Sequence, residues 1–263
     1  MPKRAVLALA LLASCACKAP EEGHMKVIIG AVLIDGMGGP PLTNSVVVIS
    51  GDRIRAAGPA STVPIPAEAD KIDGSGRFLV PALVAVAPNI QGQDDAALTK
   101  AREAHQPAIG RAATLAETEW VIDHGASGIV GMIQDTEALD PDFLAKLRDL
   151  RITFAPALAG GGANPEIAKR NTLRLFHAGV PLALAAGVDP QREMELLVDA
   201  GIPPLDAIVA ATRNSAAALQ DPQRGTIQPG KLANLLVLSA PPGEDIRNLS
   251  RVALRITSGV FPP

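Results

Sequence analysis

At 263 residues the chain has room for one large domain or two small ones, and its 48% hydrophobic content is enough to bury a sizeable core. Lys and Arg number 24 against 27 Asp and Glu, a net charge of −3, and Tyr is absent beside one Trp and five Phe. A nucleic-acid binder would show a basic excess and stacking aromatics, so that partner class is excluded. The two cysteines, Cys15 and Cys17, stand together near the amino terminus, which excludes a disulfide framework or a zinc–cysteine cluster in the body.

The amino terminus reads as an address. Lys3 and Arg4 supply a short positive region, and Ala5 to Ala13 an apolar run. That run is too short for a ~30 Å hydrocarbon core, which needs ~20 helical residues, but it suits the centre of a secretory signal. It closes on Leu12-Ala13-Ser14-Cys15, which resembles the signal box of bacterial lipoproteins. The resemblance implies a signal peptide over residues 1–14, a lipid on the Cys15 thiol and a polar tether over residues 15–25. A lipid-anchored protein of the bacterial cell envelope, periplasmic or surface-facing, is the expectation.

From Lys26 short β-branched runs (KVIIGAVLID, SVVVIS, RIRAAG) alternate with Gly-, Pro- and Asn-rich turns, the pattern of a small antiparallel sheet. Gly51 to Ile54 (GDRI) has the form of a tight hairpin turn. Between Pro81 and Arg224 helical and short apolar patterns alternate as in βα units. Helices are predicted at Asp94–Ala104, Ile109–His124, Asp142–Leu150, Pro165–Ala178, Gln191–Ala200 and Leu205–Leu219, and buried strands at Leu79–Val86, Gly128–Ile133, Ile152–Ala157 and Pro181–Ala186. The strand texture returns in GTIQPGKLANLLVL and VALRITSGV.

GAVLIDGMGGPPLTNSVVVISGDRIRAAGP with IDGSGRFLVPALV, and later LFHAGVPLALAAG, MELLVDAGIPPLDAIVAATRNSAAAL and RGTIQPGKLANLLVL, resemble the amidohydrolase superfamily in its imidazolonepropionase-like branch. The resemblance implies a small β-sandwich formed by both chain ends, residues 26–80 and 225–263, beside a (β/α) barrel over residues 81–224. It also implies a metal-dependent hydrolase site, and there the sequence departs from the pattern. The family's His-x-His pair on the first barrel strand falls on Ala87 and Asn89, a later ligand His on Gly131, and the metal-touching Asp of the last strand on Gly187. None of these is a good zinc ligand. The length available, at ~30 residues per βαβ unit, accommodates about four or five units against the ~200 residues of a full barrel. The fold class is therefore α/β plus β, with a partial TIM-like barrel. Its open edges call for cover by the helices of residues 94–124, by a second subunit in a homo-oligomer, or by both.

The remaining chemistry-bearing residues have structural readings. His24 belongs to the tether, His105 and His124 to helix ends, and His177 to the helix entering the last barrel strand. Asp189-Pro190 has the form of an N-cap with Pro at N1. Gly160-Gly161-Gly162 fits no phosphate-binding spacing. Two functions follow. The first is a degenerate, non-catalytic homologue acting as a binding or assembly module, with no cofactor. The alternative is an active hydrolase of non-peptide C–N bonds, amide or cyclic amide, holding zinc through non-standard ligands, with Asp189 as base and His105 or His124 as ligand.

Overall fold

The computed structural model describes residues 24–261. Cys15, the expected signal peptide and most of the tether lie outside the described residues. Strands β1 (Met25–Leu33), β2 (Leu42–Ser50), β3 (Arg53–Pro59), β4 (Asp70–Asp73) and β5 (Phe78–Pro81) come first. Then β6 (Ala85–Val86), α1 (Asp95–Glu103), β7 (Ile109–Ala112), α2 (Leu115–Asp123), β8 (Gly128–Gly131), α3 (Pro141–Asp149), β9 (Thr153–Pro156), α4 (Pro165–His177), β10 (Leu184–Ala185) and α5 (Pro190–Asp199) alternate. A long helix, α6 (Pro204–Val209) running through a wide turn into α7 (Ser215–Ala218), leads to β11 (Leu235–Leu238) and β12 (Val252–Ile256). No helix among the described residues is long and apolar enough to cross a membrane.

Both chain ends meet in one seven-stranded sheet of order β12-β11-β5-β1-β2-β3, with β4 beside β1. The two-residue turn Gly51-Asp52 makes the expected hairpin of β2 and β3. Gly30 (φ +84°) bends β1: before it Lys26–Ile29 pair with β4, and beyond it Val32–Leu33 pair with β5. A side chain at that left-handed position would be strained and would meet Ser75 Oγ at 3.0 Å. Strand alternation then serves two cores at once. Leu79, Leu235 and Val237 face Ile28, Val47 and Ile49 within the sheet's own core, while Val80, Leu236 and Leu238 face the helices of the βα region.

In that region β7, β8 and β9 form one parallel ladder and β6 and β10 another. Single parallel bridges, Ile90 to Gly110 and Phe154 to Leu182, link the two ladders into a ring of order β6-β7-β8-β9-β10-β6. This is the shortened barrel, five strands round. Its inner face is apolar and small: Val86, Ile109, Val130, Ala155, Ala183 and Ala185 cluster together.

The expected partial barrel is found, and its last strand lies against its first. The wide turn Ala210–Asn214 brings them together. Ala211 O accepts from Val84 N at 2.8 Å, just ahead of β6. Asn214 Nδ2 donates to Leu182 O at 3.0 Å, and Ser215 Oγ accepts from Leu184 N at 3.0 Å, both on the β10 segment. A wide turn frees carbonyls and rotates side chains out of the regular helical ladder, and here Ala211 O, Asn214 Nδ2 and Ser215 Oγ meet barrel segments while Ala210 O accepts from Ser215 Oγ at 2.8 Å.

Two predicted elements divide differently. Ile109–His124 is not one helix. Ile109–Ala112 is β7, since strands on either side satisfy its backbone, and Thr114 then caps α2 by accepting from Glu117 N at 3.2 Å. Leu79–Val86 splits into β5 and β6 where the chain passes from the sheet to the ring. Asp94 and Asp140 cap α1 and α3, accepting from Ala97 N and Asp142 N. Replacing Ser215 by Ala leaves the Leu184 amide buried and unpaired, so urea unfolding should show a loss of about 1–3 kcal/mol. A loss too small to measure would mean that the strand junction does not depend on this contact.

Candidate functional site

In a parallel ring the chemistry-bearing end is where strands exit into their following loops. There the four positions matching the resembled family's metal ligands are accounted for individually. Ala87 is exposed and offers a methyl group. Asn89 is engaged at both ends of its carboxamide, donating through Nδ2 to Pro107 O at 2.7 Å and accepting at Oδ1 from Ile109 N at 2.8 Å. It is a clasp between the β6 segment and β7. Gly131 (φ +148°) lies so close to the neighbouring strand that an added Cβ would sit 1.8 Å from Ala112 O, so no side chain fits. Gly187 has open space around its Cβ position but supplies no donor atom. This set does not fit a divalent metal.

A cation of the chain's own occupies this end of the ring. In the β7–β8–β9 register Arg111 pairs with Val130, which pairs with Ala155, and both of those face the inside of the ring. Arg111 is exposed, and Ile109 fills the ring behind it, so its guanidinium emerges at the exit end. The sequence reading missed this residue. The signal was present as one charged residue in the run AIGRAA, which only a strand assignment would have turned inward.

The imidazoles lie at the opposite end. His105 follows α1 and His124 ends α2, directly before β7 and β8 begin, and His177 ends α4 ahead of β10. Asp189 follows β10, at the exit. A four-residue strand spans ~13 Å, so His105 or His124 and Asp189 cannot share one ion, and the alternative ligand set is not assembled. Among the described residues no cluster of three or more His, Cys, Asp or Glu is placed to hold a metal. His124 and Asp189 are engaged elsewhere. His124 Nδ1 bonds Trp120 O at 2.8 Å and its ring stacks on Trp120 at 4.0 Å, and His24 pairs with Asp70 at 2.9 Å on the surface. Asp189 Oδ1 accepts from Arg192 N at 2.7 Å as the N-cap of α5.

Three other carboxylates at the exit end, Glu117, Asp135 and Glu193, also face backbone amides, while Glu137 pairs with Arg170 and Arg174. Glu117 accepts from Ala113 N at 2.7 Å and Asp135 from Leu115 N at 2.9 Å, fixing the loops after β7 and β8. Gln134 ties the end of the glycine loop, accepting from Asn164 N at 3.3 Å. Glu193 is the most deeply placed, fully buried in the first turn of α5. Its two oxygens accept from Leu158 N at 3.1 Å and Ala159 N at 2.7 Å, holding the turn that precedes Gly160-Gly161-Gly162. Burial pushes its carboxyl up to about 7, against the two amides that pull it down. It shares the helix face of buried Leu196 and Leu197, three and four residues on, and that spacing could have exposed it in the sequence.

Comparison with known proteins places this geometry. No family model matches the chain. An imidazolonepropionase of Pyrobaculum arsenaticum is 40% identical over 70 residues, 24% of this chain and 18% of that enzyme, so the chain spans under a fifth of the curated relative it matches. Among solved structures, Aspergillus niger ochratoxinase superposes with a TM-score of 0.78 at 14% identity, covering 91% of this chain and 96% of that one. A molinate hydrolase gives 0.74 at 15%, covering 92% and 95%, and a Thermotoga maritima amidohydrolase 0.69 at 13%, covering 89% and 98%. At these identities the structural likeness establishes the fold.

Glu193 makes stability depend on pH in a definite direction. Its folded value is raised, so between its ordinary value of 4.5 and about 7 the native state holds a proton that the unfolded chain releases. Stability from this group is complete below that window and is lost as pH rises through it, by roughly 3 kcal/mol in all. Asp73, Glu137, Asp221 and Asp245, whose carboxyls hydrogen bonds hold low, act in the opposite sense and below it. Glu193→Gln should flatten the decline in urea-unfolding stability across this range, and an unchanged slope would assign it elsewhere.

Proposed function

We propose that this chain, a shortened relative of the amidohydrolase superfamily without that family's ligand residues at the matching positions, acts as a non-catalytic binding or assembly module held at the bacterial cell envelope by a lipid on Cys15. The observation that carries the reading is the exit end of the ring. Where the resembled family gathers imidazole and carboxylate around a divalent ion, this chain sets Arg111, and a fixed positive charge repels a metal cation. Asn89, which a weak site would enlist, is committed to Pro107 and Ile109. Glu117, Asp135, Asp189 and Glu193 point at amides, and a carboxylate whose lone pairs face N–H groups is a poor partner for a metal as well.

The lipid anchor rests on the Leu12-Ala13-Ser14-Cys15 box and its apolar run. Acyl chains at ~0.8 kcal/mol per buried CH₂ hold a protein on a membrane stably once more than one is attached. The wild-type chain is expected in the membrane fraction, and Cys15→Ser in the soluble fraction. Equal partitioning of the two would remove the anchor from the proposal.

The catalytic alternative separates cleanly. Purified, dialysed chain should carry far less than one zinc by elemental analysis and should turn over no cyclic amide or N-acyl substrate. Asp189→Ala should lower stability by about 0.5–2 kcal/mol through loss of the α5 cap and change nothing else. Zinc retained at one per chain, with turnover that Asp189→Ala abolishes, would restore the hydrolase.

A further inference from the structure

Away from the ring's exit end, two adjoining clefts of about 490 and 230 Å³ share Arg224 and Thr226 as common walls. They lie where the long helix, the loop after it and the carboxyl-terminal strands meet. The larger is lined by Arg213, Arg224 and Lys231, and the smaller adds Arg255. Asp221 is the one carboxylate on either lining. Four cations to one anion run against a chain whose overall charge is −3.

The cations are held, not loose. Arg213 Nη1 donates to Met37 O at 2.8 Å, Arg224 Nε to Asp221 Oδ2, and Lys231 Nζ to Pro222 O. Arg213 Nε also donates to Asn214 Oδ1 at 3.4 Å, and the other donors of these guanidinium and ammonium groups face the clefts uncommitted among the described residues. The Arg255 side chain makes no hydrogen bond or ion pair among the described residues, its backbone pairing with Leu236 in the β11–β12 ladder. Positive groups therefore converge from the wide turn of the helix, from the loop and from β12, already anchored before any ligand arrives, which reduces the entropy lost on binding. Beside them Met37, Ala216 and Ala217 supply an apolar wall.

From this geometry we infer that the paired clefts bind a phosphate-bearing amphiphile, the phosphate among Arg213, Arg224, Lys231 and Arg255 and its hydrocarbon portion along Met37, Ala216 and Ala217. A tetrahedral dianion with three oxygens suits donors arriving from several sides, and guanidinium forks match phosphate geometry. The inference gives the binding role proposed above a ligand class and rests on that reading for its biological meaning alone. Anion binding and metal-dependent turnover are measured separately, so either can fail without the other.

The test is calorimetric titration of full-length Cys15→Ser chain, which has no thiol at the acylation position, with octyl phosphate and with inorganic phosphate. Octyl phosphate should saturate one site, and inorganic phosphate should bind more weakly for want of the tail. Arg224→Ala and Arg255→Ala should each weaken octyl phosphate binding about tenfold, the scale of one charge-assisted hydrogen bond. Arg255→Ala touches no internal bond, so its thermal unfolding should match the parent even if Arg224→Ala is destabilised by freeing Asp221. Co-sedimentation with phosphatidylcholine vesicles containing phosphatidic acid, a phosphomonoester like octyl phosphate, identifies the source. Binding lost in Arg255→Ala supports a lipid headgroup, whereas octyl phosphate binding without vesicle binding supports a soluble organophosphate. No saturable heat up to about 10 mM octyl phosphate, or equal affinity in parent and Arg255→Ala chains, would overturn the inference.

Discussion

The junction between β6 and β10 is the constraint on which the βα region depends. A parallel sheet that stops after five strands would expose two edges of unpaired amides and carbonyls. Here the wide turn Ala210–Asn214 satisfies groups on both flanks, through Ala211 O, Asn214 Nδ2 and Ser215 Oγ, and sets the first and last strands side by side. A regular helix would keep the Ala211 carbonyl in its own ladder. The irregularity in the helix is thus what makes the short ring compatible with buried backbone.

The exit end follows a related rule. Glu117, Asp135, Asp189 and Glu193 each accept from backbone amides of the loops or helix starts that follow the strands. Such contacts order loops that have few apolar residues of their own. They also consume the lone pairs that a metal or a substrate proton would need. Glu193 illustrates the competition in one residue. Its amides favour the charged form and its burial opposes it, and burial prevails far enough to bring its titration to about 7.

Much of the fold was legible because its signals are local. The hairpin at Gly51-Asp52, the Asp caps at positions 94, 140 and 189, and the amphipathic faces of α4 and α5 are written in adjacent residues. What was hidden is nonlocal. Ile109–Ala112 reads as the start of a helix until strands on both sides claim its backbone. Arg111 points inward only because of that reassignment, and the pairing of β6 with β10 depends on side chains about 130 residues from Ala85. The four substituted ligand positions were readable as letters. The reason that Gly131 accepts no side chain, an approach to Ala112 O, needed coordinates.

Losing strands and losing ligands are linked by geometry. The diameter of a barrel grows with strand number, and about eight strands leave an interior just wide enough for ordinary side chains. Five strands draw the walls closer, and the inner face responds with Ala155, Ala183 and Ala185 beside Val86, Val130 and Ile109. At β8 the approach leaves no room for even a Cβ at position 131. An imidazole restored at Gly131 would force β7 and β8 apart before it could reach an ion, so single substitutions at the four positions would not recover a metal site. Recovery would require a wider ring, hence more strands.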